Sequence, residues 1–282
     1  MTEETMQIYT DVTNKIIDQL KSGVRIWEKP YNGGLASLPK RHNNQSFSGA
    51  NIIVLWLSGY NNPYWFTYAQ AKSVGGQVRK GEKATKALKP FTKKIDDDKV
   101  ITTGFASYNV FNAQQIDGLP KEYFPKEDTF INPDKPIAWV DAAISNTGAA
   151  IEERDGTPCY IPSLDKICMP TWDDFKSGTD YYCTMLHELT HWTGHESREN
   201  RLKIKNKKGY AFEELVAELG AAFMMADMNI TPAVRDDHAE YIGSWIQALE
   251  NDHRYIFDAA KLASKAVQYI QYAQNNETRA TA

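Results

Sequence analysis

The sequence predicts an α+β protein of two domains, and three observations carry that reading. Apolar residues recur at helical spacing near both ends of the chain, whereas Lys83 to Phe91 and Val100 to Phe111 read as strands. Gly118, Pro120, Pro125, Pro133 and Pro136 interrupt regular structure between these parts. Charge changes sign across the same interruption. Residues 1–120 hold 15 Lys+Arg and 10 Asp+Glu, or +5; the remaining 162 hold 17 and 26, or −9, and the two sum to the −4 of the chain. The expected division is a first domain over 1–125, a linker over 126–135 and a second domain over 136–282. The 42% hydrophobic and 24% charged content excludes a disordered or fibrous chain. The longest apolar run, Ala50 to Leu57, is far short of the ~20 residues a membrane span needs. The acidic start lacks the profile of a signal peptide, so a cytoplasmic protein with no membrane partner is expected. Three cysteines, Cys159, Cys168 and Cys183, match no zinc-ribbon spacing and read as reduced thiols.

In the first domain, Ile8, Val12, Ile16, Ile17 and Leu20 form one face of an amphipathic helix that Gly23 can end. A loop-rich stretch through Trp27, Pro30, Gly33, Gly34 and Pro39 leads to the apolar segment Asn51 to Leu57. Thr67 to Val74 predicts a short helix stopped by Gly75-Gly76, and Asp96-Asp97-Asp98 a turn between the two strands.

This domain has the composition of a surface for unpaired nucleic acid. Such binding needs cations for phosphates and flat side chains for bases. Residues 40–94 hold ten basic residues against the single acid Glu82. Lys40, Arg41, Lys72, Arg79, Lys80 and Lys83 are the candidate phosphate contacts, the last three on the glycine-rich segment Gly75 to Lys83. Trp65 and Tyr64 lead the candidate stacking platforms, with Trp27, Tyr31, Phe47, Trp56, Tyr60 and Tyr68. The competing reading puts the aromatics in the core and the lysines in solvent. No Walker-type Gly-Lys-Ser/Thr is present, so a P-loop is not supported.

The second domain contains His187-Glu188-Leu-Thr-His191. Residues four apart share a helix face, so His187 and His191 can present two imidazoles to one Zn²⁺, with Mn²⁺ as an alternative. Glu188 lies about 100° around the helix, within reach of the attacking water as a general base. Gly194 can terminate this helix, and Trp172 to Tyr182 reads as its entry. A third ligand is needed. His195 continues the four-residue step, but Gly194 can turn it away. Tyr210 to Met225 is an apolar helix bearing Glu213, Glu214 and Glu218, and no Lys or Arg lies between 209 and 234. Buried carboxylates need a cation, and a metal can supply it. Glu214 is the expected ligand with Glu218 orienting a histidine; the reverse assignment and a solvent-facing acidic stripe are the alternatives. Tyr160 to Pro170 reads as an edge strand that could hold an extended substrate. Ala239 to Ala273 predicts packing helices, and His42, His238 and His253 show no partner pattern.

Together these strings resemble the ArdC-type antirestriction proteins of plasmids and phages. In the front half the resemblance rests on Phe47-Ser-Gly-Ala-Asn-Ile52, Trp65-Phe-Thr-Tyr-Ala-Gln70, Gly75 to Lys83 and Tyr108-Asn-Val-Phe-Asn112. In the rear half it rests on Asp165-Lys-Ile-Cys-Met-Pro170, His187 to His195 and Tyr210 to Gly220. It covers nearly the whole chain. Ala50 departs from an expected isoleucine-like residue. The resemblance implies an N-terminal α+β domain that binds single-stranded DNA and a mostly helical, zincin-like metallopeptidase domain with a small sheet. It also implies protection of incoming DNA from host restriction, and a metal held by two histidines and a glutamate.

Two functions follow as expectations. One is a DNA-directed zinc peptidase acting on a restriction enzyme or another DNA-bound protein. The other is a binding protein whose metal is structural. A metal-dependent nuclease ranks last, because no carboxylate cluster suggests a second metal.

Overall fold

The computed structural model describes residues 3–24, 37–96, 99–125, 130–203, 206–231 and 239–280. Trp27, Tyr31, the Asp97-Asp98 pair, His238 and part of the expected linker lie outside them, as do the side chains of Lys93 and Lys94. The chain divides into two compact units. The first comprises Met1–Ile26, Pro30–Asp128 and Leu249–Phe257; the second comprises Trp27–Lys29, Thr129–Ala248 and Asp258–Ala282.

In the first unit α1 (Glu3–Lys21) buries Ile8, Val12, Ile16, Ile17 and Leu20, and Gly23 follows at φ 77°. The apolar run becomes α2 (Ala50–Trp56), buried from Ile52 to Trp56. Strands β1 (Lys40–Arg41), β2 (Tyr64–Phe66), β4 (Thr85–Asp96) and β5 (Lys99–Asn112) form one sheet in the order β1-β2-β5-β4. Asn51 of α2 reaches edge strand β4, donating through Nδ2 to the Leu88 carbonyl at 2.8 Å and accepting from the Leu88 N–H at 2.7 Å. Helix α3 (Tyr68–Ser73) opens on a capping box between Thr67 and Gln70 and ends before Gly75, φ 85°.

The segment Gly75 to Lys83 is more ordered than a glycine-rich loop. Its residues Gln77–Val78 form β3, paired antiparallel with β6 (Ile116–Asp117). A Cβ on Gly76 would fall 2.6 Å from Leu119, so glycine here serves a close approach.

The second unit begins with Ile131 bridged to Ile230, so the end of the expected linker is tied down. After α4 (Ala138–Ser145) come β7 (Ala150–Glu153), β8 (Cys159–Ile161) and β9 (Lys166–Met169), in the order β7-β9-β8. The segment Tyr160 to Pro170 is therefore a hairpin, not one edge strand: β8 is the edge and β9 is central. The sequence pattern missed the turn because Asp165, not glycine, takes the left-handed conformation, φ 48°. A 3-10 turn at Trp172–Asp174 precedes α5 (Gly178–Thr193), which starts at the N-cap Ser177. Helix α6 (Lys207–Asp227) follows, capped by Asn206. Next come α7 (Ala239–Asn251) and α8 (Tyr255–Ala280), with Trp245 and Ala260 buried in this unit; Leu249 and Ile256, also buried, belong to the stretch Leu249–Phe257 of the first unit.

Helices α5 and α6 pack closely because Gly220 lies against Thr190. A Cβ at 220 would fall 2.6 Å from both Thr190 Cγ2 and Oγ1. Alanine normally gains ~1 kcal/mol over glycine inside a helix. Here overpacking, typically ~1–3 kcal/mol, opposes it. Gly220→Ala is therefore expected to lower stability in chemical denaturation, with Thr190→Ala in the same chain recovering part of the loss. A stabilised Gly220→Ala would refute this account of the contact.

Candidate metal centre

Helix α5 supplies His187 and His191, four residues apart on its buried face, and α6 supplies Glu214 opposite them. Glu214 Oε2 lies 3.4 Å from His187 Nε2, and its Oε1 lies 3.5 Å from His191 Nε2. The two Nε2 atoms are 3.1 Å apart. One ligand atom from each of the three residues falls within 4.8 Å of the others, an arrangement that could hold a metal ion.

The remaining ring nitrogens face two other carboxylates of α6. His187 Nδ1 lies 3.3 Å from Glu218 Oε1, and His191 Nδ1 lies 3.6 Å from Glu213 Oε1. Glu214 thus points at the convergent nitrogens while Glu218 stands behind one ring; their four-residue spacing puts both on one face without assigning these roles. Glu213 in the matching place behind His191 was not foreseen. Its position one residue from Glu214 gave no signal, since it depends on where α5 lies.

The charges fit a cation. Burial alone would lower the pKa of His191, but Glu213 and Glu214 outweigh it and push it up to about 10. Burial would raise the Glu214 carboxyl, yet His187 and His191 hold it far below the usual carboxylate range. The donor set, two imidazoles and a carboxylate, is one that Zn²⁺ accepts.

The absence of Lys and Arg between 209 and 234 does not leave the carboxylates of α6 without a cation. Arg201, from the segment after α5, donates from Nη2 to Glu213 Oε1 at 2.9 Å. Sequence proximity along α6 could not reveal it. His195 is also not brought to the cluster. Helix α5 is C-capped at Gly194, and His195 Nδ1 instead meets the Ser197 hydroxyl at 2.8 Å.

Glu188 is buried at 6% exposure and makes none of the ion pairs above. Its charge acts on His191 and on Cys159 of edge strand β8. The hairpin carrying β8 is clamped to the end of α5. Arg198 pairs with Asp165 through both terminal nitrogens, accepts no freedom at Nε, which donates to the Trp192 carbonyl at 2.7 Å, and lies over the Trp192 ring at 3.9 Å. Arg198 holds the Asp165 carboxyl below its usual range.

The candidate nucleic-acid contacts sort differently. Trp65 is 2% exposed and packs edge-on to Tyr60, so it offers no face to a base; Phe47 and Trp56 are buried as well. These corrections share one cause: the aromatics build the core of a small sheet unit. Tyr64 is half-buried and donates to Asn44 Oδ1. Arg41 lies over the Phe47 ring and donates to the Ser46 carbonyl, and Arg79 is paired with Glu82 and Asp117. Lys40 is half-buried, whereas Lys72, Lys80 and Lys83 are exposed. Among the described residues of this unit the exposed aromatics include Tyr68, 53% exposed, Phe91, 51%, and Phe124, 45%; Phe91 lies in strand β4 and was not among the expected stacking platforms.

Residues 138–262 match the family described as zincin-like metallopeptidase, and residues 6–117 match the N-terminal domain of the anti-restriction factor ArdC. A DNA primase TraC of Escherichia coli is 36% identical over 92% of this chain, and a second is 34% identical over 96%. The chain spans only 19% and 27% of those primases. The uncharacterized protein y4eC of Sinorhizobium fredii is 32% identical, with 98% of this chain and 96% of that protein covered. The crystal structure of the antirestriction ArdC protein from plasmid R388 superposes with TM-score 0.81 in its metal-free form and 0.79 in its Mn(II)-bound form. Each is 39% identical over 95% of this chain and 98% of the solved one. Similarity along the full length of that protein, with both domains matched in order, shows that the chain belongs to the ArdC antirestriction family.

Proposed function

We propose that this chain is a cytoplasmic antirestriction protein that binds single-stranded DNA through its first unit and cleaves a DNA-associated protein at a divalent metal site in its second. The observation that carries the peptidase reading is the convergence of His187, His191 and Glu214 beside Glu188. The Mn(II)-bound form of the R388 ArdC protein supports a divalent ion in this chain too, and the donor set gathered here suits Zn²⁺ equally. When bound, the cation would polarise a peptide carbonyl and acidify a water. Glu188 would take the proton of the attacking water and deliver it to the leaving amine. Edge strand β8 would align the extended substrate by strand pairing. The partner is a host restriction enzyme or another protein on the incoming DNA.

The DNA reading draws on the exposed lysines and on Tyr68 and Lys72, which share a face of α3 at i, i+4. The DNA primases among the relatives support a nucleic-acid setting. A second reading, a DNA- or enzyme-blocking protein with a structural metal, is favoured by the near-complete burial of His187 and Glu214.

Four experiments test these readings. Glu188→Gln is expected to keep metal and DNA binding while abolishing hydrolysis and antirestriction; full antirestriction in that variant would select the structural-metal reading. Lys72→Glu with Lys80→Glu is expected to weaken single-stranded DNA binding and to reduce its salt slope by about 0.7 per lost contact. Tyr68→Ala should cost ~1–3 kcal/mol of stacking. Unchanged affinity and salt slope would move the interface off this face. Finally, in the cation-free protein His191 holds its proton below about pH 10, so a metal must displace it. Mn²⁺ affinity measured by calorimetry is therefore expected to rise about tenfold per pH unit from pH 6 to 8. The sign also applies to folding: the proton-linked stability is complete below the unfolded pKa and is lost as pH rises through about 10. A pH-independent affinity would show that no proton is displaced.

A further inference from the structure

We propose that Arg201 is a positioning residue of the metal centre: it fixes Glu213 against His191 and so sets how tightly a divalent cation is held, while Gly194 is glycine to leave Arg201 its place. The inference rests on the metal-site reading above and extends it to residues outside the ligand set.

The segment after α5 folds back on the helix end. The Arg201 N–H donates to the Gly194 carbonyl at 2.9 Å, and the Leu202 N–H donates to the same oxygen at 3.2 Å. This return carries the Arg201 side chain, 5% exposed, into the space between α5 and α6. All three guanidinium nitrogens are used. Nε and Nη2 donate to Glu213 Oε2 and Oε1 at 3.3 and 2.9 Å. Nη1 donates to Thr193 Oγ1 at 2.9 Å, and Nη2 also donates to the Thr190 carbonyl at 2.7 Å. The fork therefore ties the carboxylate of α6 to the last turn of α5. Glu213 Oε1, the oxygen gripped by Nη2, is also the one facing His191 Nδ1. An imidazole ligand is aimed by what its second nitrogen meets, and losing that partner typically costs ~10–100-fold in metal affinity.

Gly194 completes the device. Its φ of −76° is open to any residue, so backbone conformation does not require glycine. Space does. A Cβ there would lie 3.0 Å from the His191 carbonyl oxygen, 3.1 Å from Arg201 Nη2 and 3.1 Å from Leu202 Cγ. Lysine cannot replace Arg201, because one ammonium cannot span both carboxylate oxygens and the two acceptors on α5.

The test measures Mn²⁺ affinity by calorimetry and the Mn²⁺ paramagnetic resonance spectrum of the full chain, with the melting temperature of the chelator-treated protein as a control on folding. Arg201→Met, Arg201→Lys and Glu213→Gln are each expected to weaken binding about tenfold or more and to alter the spectrum. Gly194→Ala should weaken it several-fold by displacing the guanidinium. A folded Arg201→Lys or Arg201→Met with wild-type affinity and spectrum would overturn the proposal. If the Arg201 variants do not fold, Glu213→Gln and Gly194→Ala decide it by the same measure. A wild-type chain that binds no Mn²⁺, like one with both histidines replaced, would overturn the metal reading itself and this inference with it.

Discussion

Gly220 lets α6 lie against α5 closely enough that the carboxylates of one helix meet the imidazoles of the other. The rest of the candidate centre depends on that contact. Histidines at i, i+4 on a single helix supply two nitrogens and nothing to complete a shell. The third donor and both rear carboxylates arrive only because α6 runs across the same face with no side chain at 220. The clamp of Arg198 on Asp165 adds the last component, fastening the hairpin of β8 to the end of α5.

Bringing those groups together creates an electrostatic demand. Glu188, Glu213, Glu214 and Glu218 are all buried in one unit. Arg201 offsets one of them. Removing charges from water is costly unless they are paired, so the surplus negative charge must be met by protons or by a cation. The raised pKa of His191 expresses the first solution, and the ligand geometry suits the second. The same preference that draws a proton onto the histidine makes the site receptive to a divalent ion and sensitive to pH.

The first unit divides its aromatic residues by a different rule. Under α1 and α2, Phe47, Trp56, Trp65 and Phe66 join the buried aliphatic residues of those helices, so these rings are used for packing. Arg41 and Arg79 are similarly engaged, one over Phe47 and the other between two acids. Among the described residues, the surface keeps a set of lysines with Tyr68, Phe91 and Phe124. Composition alone overstated how many residues were available to a ligand, because it cannot distinguish a ring in the core from one in solvent.

Local order was largely readable. The amphipathic period of α1, the capping signals of α3, the two long strands and the helix of His187 and His191 follow from short-range spacing, which is how side-chain periodicity specifies faces. The shared face of Glu214 and Glu218 also follows from their four-residue step, but the spacing is symmetric and does not say which of the two meets the convergent nitrogens. The hairpin at Asp165 was hidden because a left-handed turn without glycine leaves no compositional mark. Glu213 behind His191, Arg201 behind Glu213, and the space at Gly194 were likewise beyond reach. The sequence by itself determined the longer helices and the two long strands, and it nominated the candidate ligands. Only the tertiary structure decided which carboxylate meets which nitrogen and which aromatics stay open, because those pairings depend on distances between elements far apart in the chain, set by close packing and not by periodicity.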